Sequence, residues 1–164
     1  MKNRHGRQLA MFMVLLSLLC AGVVAQEVEI SSVSNVKMNT TANLDLTIQH
    51  SSKDLGTVDI TLKYDPSVMK VTRFNLNSDL WASLGGTVQP GLIGIAVYGS
   101  DGVVAAPVNA QSPVSIGSFV VESMFNDGSQ TPLELVLTTV TDYDGSKITG
   151  EFAGGVKNGS FSTL

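Results

Sequence analysis

Side-chain catalysis needs an acid, a base or a nucleophile within reach of one another, and this 164-residue sequence holds few residues able to serve. It has two histidines, His5 and His50, and a single cysteine, Cys20. No serine stands in a Gly-x-Ser-x-Gly elbow. His50 closes an alternating run beside the polar turn Ser51-Ser52-Lys53-Asp54, where it is expected to face solvent. Fourteen carboxylates are enough for a pair flanking a glycosidic bond, yet no run of aromatic residues accompanies them to form a cleft. Asp142 and Asp144 stand two apart before Gly145, the spacing with which a calcium loop opens. Calcium wants about six to eight oxygens, including a distant glutamate, and this stretch supplies two carboxylates. A turn capped by aspartate is therefore expected, and no metal or other cofactor is implied.

Trp81 is the only tryptophan. Carbohydrate-binding modules grip sugars on rows of exposed aromatic rings, so Tyr98 and Tyr143 would have to join Trp81 to make one. The alternative is burial of Trp81 with Leu80 and Leu84 beneath a loop, which suits a large apolar ring. The residue inventory thus points away from an enzyme and toward a binding surface, and such a surface requires a scaffold.

Period-two alternation supplies the scaffold. From Ala42 to Gln49, Leu44, Leu46 and Ile48 share one face, with Asn43, Asp45, Thr47 and Gln49 on the other. From Thr57 to Lys63, Val58, Ile60 and Leu62 alternate with Thr57, Asp59, Thr61 and Lys63. Further strands are predicted at Val28–Val33, Val68–Phe74, Leu92–Tyr98, Ile116–Met124, Leu133–Val140 and Gly159–Thr163. Turn signals such as Asp65-Pro66, Gly85-Gly86, Pro90-Gly91, Asp101-Gly102 and Asp144-Gly145 separate them. Only Asn77 to Leu84, with Leu80, Trp81 and Leu84 along one side, could form a helical turn or two. Many short strands with frequent turns predict an all-β sandwich or barrel.

The chain opens with Lys2, Arg4 and Arg7, an apolar run from Leu9 to Val24, and small residues at Val23 and Ala25. This is the layout of a secretory signal over 1–25, leaving one domain over 26–164 that starts at Gln26. Uncleaved, the run would be a membrane anchor at the short end of spanning length. Removal of 1–25 takes three of ten basic residues and no acidic ones, leaving seven against fourteen, a net charge of −7. Nucleic acid is excluded as a partner by such a balance. Cys20 leaves with the signal, so the domain must hold together by packing without a disulfide. Asn39-Thr40-Thr41 and Asn158-Gly159-Ser160 satisfy the glycosylation pattern.

One stretch is more specific. Ile60-Thr61-Leu62-Lys63-Tyr64-Asp65-Pro66-Ser67-Val68-Met69-Lys70-Val71 runs an alternating strand into Tyr-Asp-Pro and then an aliphatic return. Tyr64 can cover the end of the core, Asp65 can bond the donors of the turn, and Pro66 fixes the φ that starts it. With Leu92–Tyr98 before a Ser-Asp-Gly turn, Phe119 inside Ile116–Val121, Asp142-Tyr143-Asp144-Gly145 and a last strand from Asn158, the ordered set resembles the cohesin family. Cohesins are β-sandwich modules that receive dockerins in assemblies of secreted polysaccharide-degrading enzymes.

The resemblance implies a jelly-roll sandwich of about nine strands, a non-catalytic role outside the cell, and an extracellular protein ligand of the dockerin kind. It places partner contacts on the sheet face that holds Thr57, Asp59, Thr61 and Lys63 and the strand ending at Tyr98. Asp59 matches an acidic position of cohesins, and Thr57 a small polar one. The acidic residue that often follows the later strand is displaced here to Asp101, behind Gly99 and Ser100. A carbohydrate-binding module using Trp81, Tyr98 and Tyr143 on a polysaccharide, or a structural module of a surface layer or adhesin, are the alternatives.

Overall fold

The computed structural model describes residues 26–164; the expected signal or anchor over 1–25 lies outside the described residues. Alternating segments become strands because every second side chain can leave water. In β3 (Thr41–Gln49) Leu44, Leu46 and Ile48 are buried, and in β4 (Asp54–Lys63) Leu55, Val58, Ile60 and Leu62 are. The remaining strands are β1 (Glu27–Ile30), β2 (Val33–Val36), β5 (Met69–Leu76), β6 (Trp81–Gln89), β7 (Leu92–Gly99), β8 (Val108–Asn109), β9 (Val114–Ser123), β10 (Gln130–Asp142), β11 (Val156–Lys157) and β12 (Gly159–Thr163). Among the described residues a single 3-10 turn spans Thr149–Phe152.

The strands form two layers. One sheet has the order β11-β1-β3-β9-β5, the other β2-β12-β10-β4-β7-β6, with β8 pairing at the start of β4. Between them one continuous core joins Leu44, Leu46 and Phe119 of the first sheet to Ile60, Leu62 and Phe161 of the second. A fully buried side chain of this size contributes roughly 1.5–3 kcal/mol, and that packing has no covalent support among the described residues. The molecule is the all-β sandwich that the alternation predicts.

Three expectations are corrected. The run Val28–Val33 is not one strand, because the chain changes sheets at Ser31-Ser32 and continues as β2 beside β12. Asn77–Leu84 is not helical: Asn77 accepts N–H from Leu80 and Trp81 in one turn, and the chain then joins the edge of β7. Pairing along all of β7 offers more backbone bonds than a second helical turn. A bulge between Ser83 and Gly85 leaves Leu84 exposed, away from Trp81.

His50 is the third. It is fully buried, not solvated. The turn after β3 folds over the ring, so that Nδ1 accepts N–H from Lys53 at 3.1 Å and Ser52 at 3.4 Å. Nε2 therefore carries the proton and donates to Glu151 Oε2 at 2.9 Å, while the ring tilts on Phe152. Glu151 comes from the distant 3-10 turn, which no local pattern could pair with His50, and its other oxygen accepts from Lys53 Nζ at 2.6 Å.

Lys53 first, and then His50, hold the Glu151 carboxyl below its ordinary value of 4.5. A carboxyl lowered in this way adds stability that is present above its unfolded pKa and lost as pH falls through the folded one. Glu151→Gln should reduce stability near neutrality and flatten the acid limb below about pH 4.5, measured by urea unfolding at stepped pH. An acid limb unchanged from the parent would show that the carboxylate contributes nothing.

Candidate functional site

With Val58, Ile60 and Leu62 committed to the core, the intervening residues of β4 must face outward. Register then builds four rows across the outer face of β10, β4, β7 and β6. Thr141, Thr57, Tyr98 and Ala82 form the first, and Thr139, Asp59, Ala96 and Gly85 the second. Val136, Thr61, Gly94 and Thr87 form the third, and Glu134, Lys63, Leu92 and Gln89 the fourth. Thr57, Asp59, Thr61, Lys63 and Tyr98 are thus brought together on one surface.

The rows differ in chemistry. Thr57 and Thr141 share a hydroxyl–hydroxyl bond of 2.6 Å, and Lys63 Nζ meets Glu134 Oε1 at 3.3 Å at the far end. Asp59 forms no ion pair among the described residues. It borders a shallow hollow of about 430 Å³ that also takes in Thr61, Thr138 and Leu84. Gly94 and Ala96 make the centre low, and Gly86 packs so closely that a Cβ would stand 2.5 Å from the Gly94 carbonyl oxygen. No Asp, Glu, Lys, Arg or His occurs from Leu80 to Ser100, so the β6–β7 half carries no ionisable group except the Tyr98 phenol.

The register between β4 and β10 steps by one residue at Thr138 and steps back at Gly56. Gly56 has to be glycine, because a Cβ there would run into the Asp142 carbonyl. The patch of Thr57, Asp59, Thr139 and Thr141 lies between these two bulges. The β10 residues and Leu84 are the part of the face that sequence reasoning missed. The alternation of Leu133, Leu135 and Leu137 was their only signal, and it breaks at Thr138.

Asp101 is differently employed. Its Oδ1 accepts N–H from Val103 and Val104, both at 3.0 Å, and these bonds, Val104 before Val103, lower its pKa. Ser100 Oγ closes the same loop through Gly102 N–H and the Val104 carbonyl. The carboxylate therefore holds a tight tip on which Val103 is 88% exposed. Asp142 likewise serves its own turn, accepting Ser146 N–H at 2.8 Å, while Asp144 is exposed. Among the described residues no three metal-ligating side chains gather.

The sugar-stacking role for Trp81 is corrected. The ring is 1% exposed at the corner between β5 and β6, and Nε1 donates to the Ser115 carbonyl at 3.1 Å. Tyr98 lies half-buried on the outer face, and Tyr143 reaches the Ala105 carbonyl from the neighbouring turn. With Trp81 inside, the three rings make no row.

No family model matches the sequence, and no curated protein does. Solved structures do. A non-cellulosomal cohesin from the hyperthermophilic archaeon Archaeoglobus fulgidus matches with a TM-score of 0.65 at 17% identity, over 85% of this chain and 91% of that one. A cohesin in a type I cohesin–dockerin complex from Clostridium thermocellum matches with a TM-score of 0.64 at 15% identity, over 85% and 99%. The chain has the cohesin fold. A further example is the sixth cohesin of Acetivibrio cellulolyticus scaffoldin B, in complex with a Cel5 dockerin, at a TM-score of 0.66 and 14% identity over 85% and 99%. Within the cohesin fold of this chain, Trp81 is a structural residue. Trp81→Ala should cost roughly 3–5 kcal/mol in urea unfolding, as loss of a fully buried aromatic does. A cost below about 1 kcal/mol would contradict its burial.

Proposed function

We propose that this chain is an exported, non-catalytic receptor module whose outer face of β10, β4, β7 and β6 binds a dockerin-like protein ligand. The observation that carries this is the four-row surface, where the Asp59 carboxylate stands outside any ion pair among the described residues, beside a low, uncharged floor of Gly94 and Ala96. Such a surface combines a shallow uncharged centre with a polar rim, the make-up of a protein interface. Thr57, Thr61 and Tyr98 supply hydroxyls around it, and Lys63 with Glu134 closes one end. Asp101 acts as a positioning residue, presenting Val103 and Val104 at the end of the face. The cohesins of like fold that were solved with dockerins support the class of ligand. A setting among polysaccharide-degrading enzymes outside the cell is what the cohesin resemblance of the sequence implies.

Absence of catalysis fits the one histidine of the domain, which is enclosed by backbone donors and Glu151. Export rests on the leader-like segment 1–25. Mass spectrometry of the protein recovered outside an expressing cell should give a chain beginning at Gln26, whereas an intact Met1 in the membrane fraction would mean an anchor.

For the binding face, calorimetric titration of the mature domain against a panel of dockerin modules should find a saturable partner. Asp59→Lys should weaken it about tenfold or more, about 1.4 kcal/mol, with an unchanged unfolding midpoint. Retention on cellulose or chitin without affinity for any dockerin would overturn the assignment.

A further inference from the structure

A second surface lies on the opposite side of β6. The order of strands leaves β5 as the edge of one sheet and β6 as the edge of the other, joined directly by the turn at Asn77–Leu80. The two edges stand together and the sandwich is open between them. A cleft of about 390 Å³ enters there, lined by Val71, Phe74, Val88 and Ile93. It continues past Val71 and Val88 into a hollow of about 320 Å³ bordered by Met69 and Met124. Val88 is 78% exposed although it sits on a strand and beside buried Ile93.

Both lips of this trench are strand edges, and among the described residues each edge has a row of backbone N–H and C=O groups with no neighbouring strand. An acyl chain could fill the apolar floor but would leave those groups to water, whereas an added strand satisfies floor and lip together. β6 has no charged residue or proline to repel such a strand. The β5 lip carries Lys70 and Arg73, both at the trench, and neither forms an ion pair among the described residues. Lys70 stands across from Glu122 in the register with β9, whereas Arg73 stands across from Val120, so it is Arg73 that calls for a carboxylate from outside.

We infer that the trench between β5 and β6 receives an extended segment of another protein, apolar at alternate positions and carrying an acidic residue for Arg73. This site is independent of the outer face. A suitable probe is the acetylated and amidated peptide of this chain's own Thr41–Gln49, which alternates Leu44, Leu46 and Ile48 with Asp45. Added to the mature domain, it should bind saturably and slow hydrogen exchange of β6 amides about tenfold. Val88→Asp, at an exposed position, should abolish binding, Arg73→Glu should weaken it about threefold or more, and Asp59→Lys should leave it unchanged.

Absence of saturable binding at millimolar peptide would overturn the inference, as would binding indifferent to Val88→Asp. So would uptake of palmitate without amide protection, or sedimentation showing a dimer that Val88→Asp dissolves, since a lipid or a second copy would then be the occupant.

Discussion

Burial of Val58, Ile60 and Leu62 in β4 is the constraint on which the rest depends. β4 is central in its sheet, held by β10 on one side and β7 on the other. Because its inward side chains cannot be exchanged for its outward ones without a one-residue slip that would put threonines and Asp59 into the core, the surface is fixed by what lies beneath it. In a domain without a described disulfide, the same contacts hold the sheets together and set the chemistry of the outer face.

That coupling also explains the division of labour around the face. The charged side chains of the face stand on β4 and β10, to one side of the low floor that Gly94, Ala96, Gly85 and Thr87 of β7 and β6 provide, with Tyr98 at one end of that floor and Leu92 and Gln89 at the other. Low residues on the flanking strands let a partner approach the backbone, and the tall polar ones give it register. The loop held by Asp101 works in the same sense, since a valine tip tied by two backbone bonds loses little freedom when it meets another surface.

Much of the sandwich is legible in the sequence, and the exceptions have physical causes. β3, β7 and the Thr57–Lys63 part of β4 alternate, so their faces can be read directly, whereas Asp54–Gly56 at the start of β4 lies beyond the Gly56 bulge and falls outside the pattern. β6 cannot, because Gly85 and Gly86 lack strand propensity and the segment is a strand only by virtue of β7 beside it. His50 looks like a surface residue until Glu151, 101 positions away, is folded onto it. Asp101 is named among the contacts by resemblance alone, and its service to the loop is not legible, because an aspartate in a turn has the same sequence signature whether or not it bonds the backbone beyond it. Trp81 could be either platform or plug on composition alone, and the sheet-to-sheet corner decides for the plug.

The paired irregularities at Thr138 and Gly56 have an evolutionary corollary. Each adds one residue to its own strand, so their displacements cancel, and the stretches on either side keep a common register. A lineage that deleted either residue alone would be left with an uncompensated step in a core-forming pair. Insertions and deletions here are therefore tolerable only in couples, and the hydroxyl-rich patch between them can change by substitution far more readily than by any change in length.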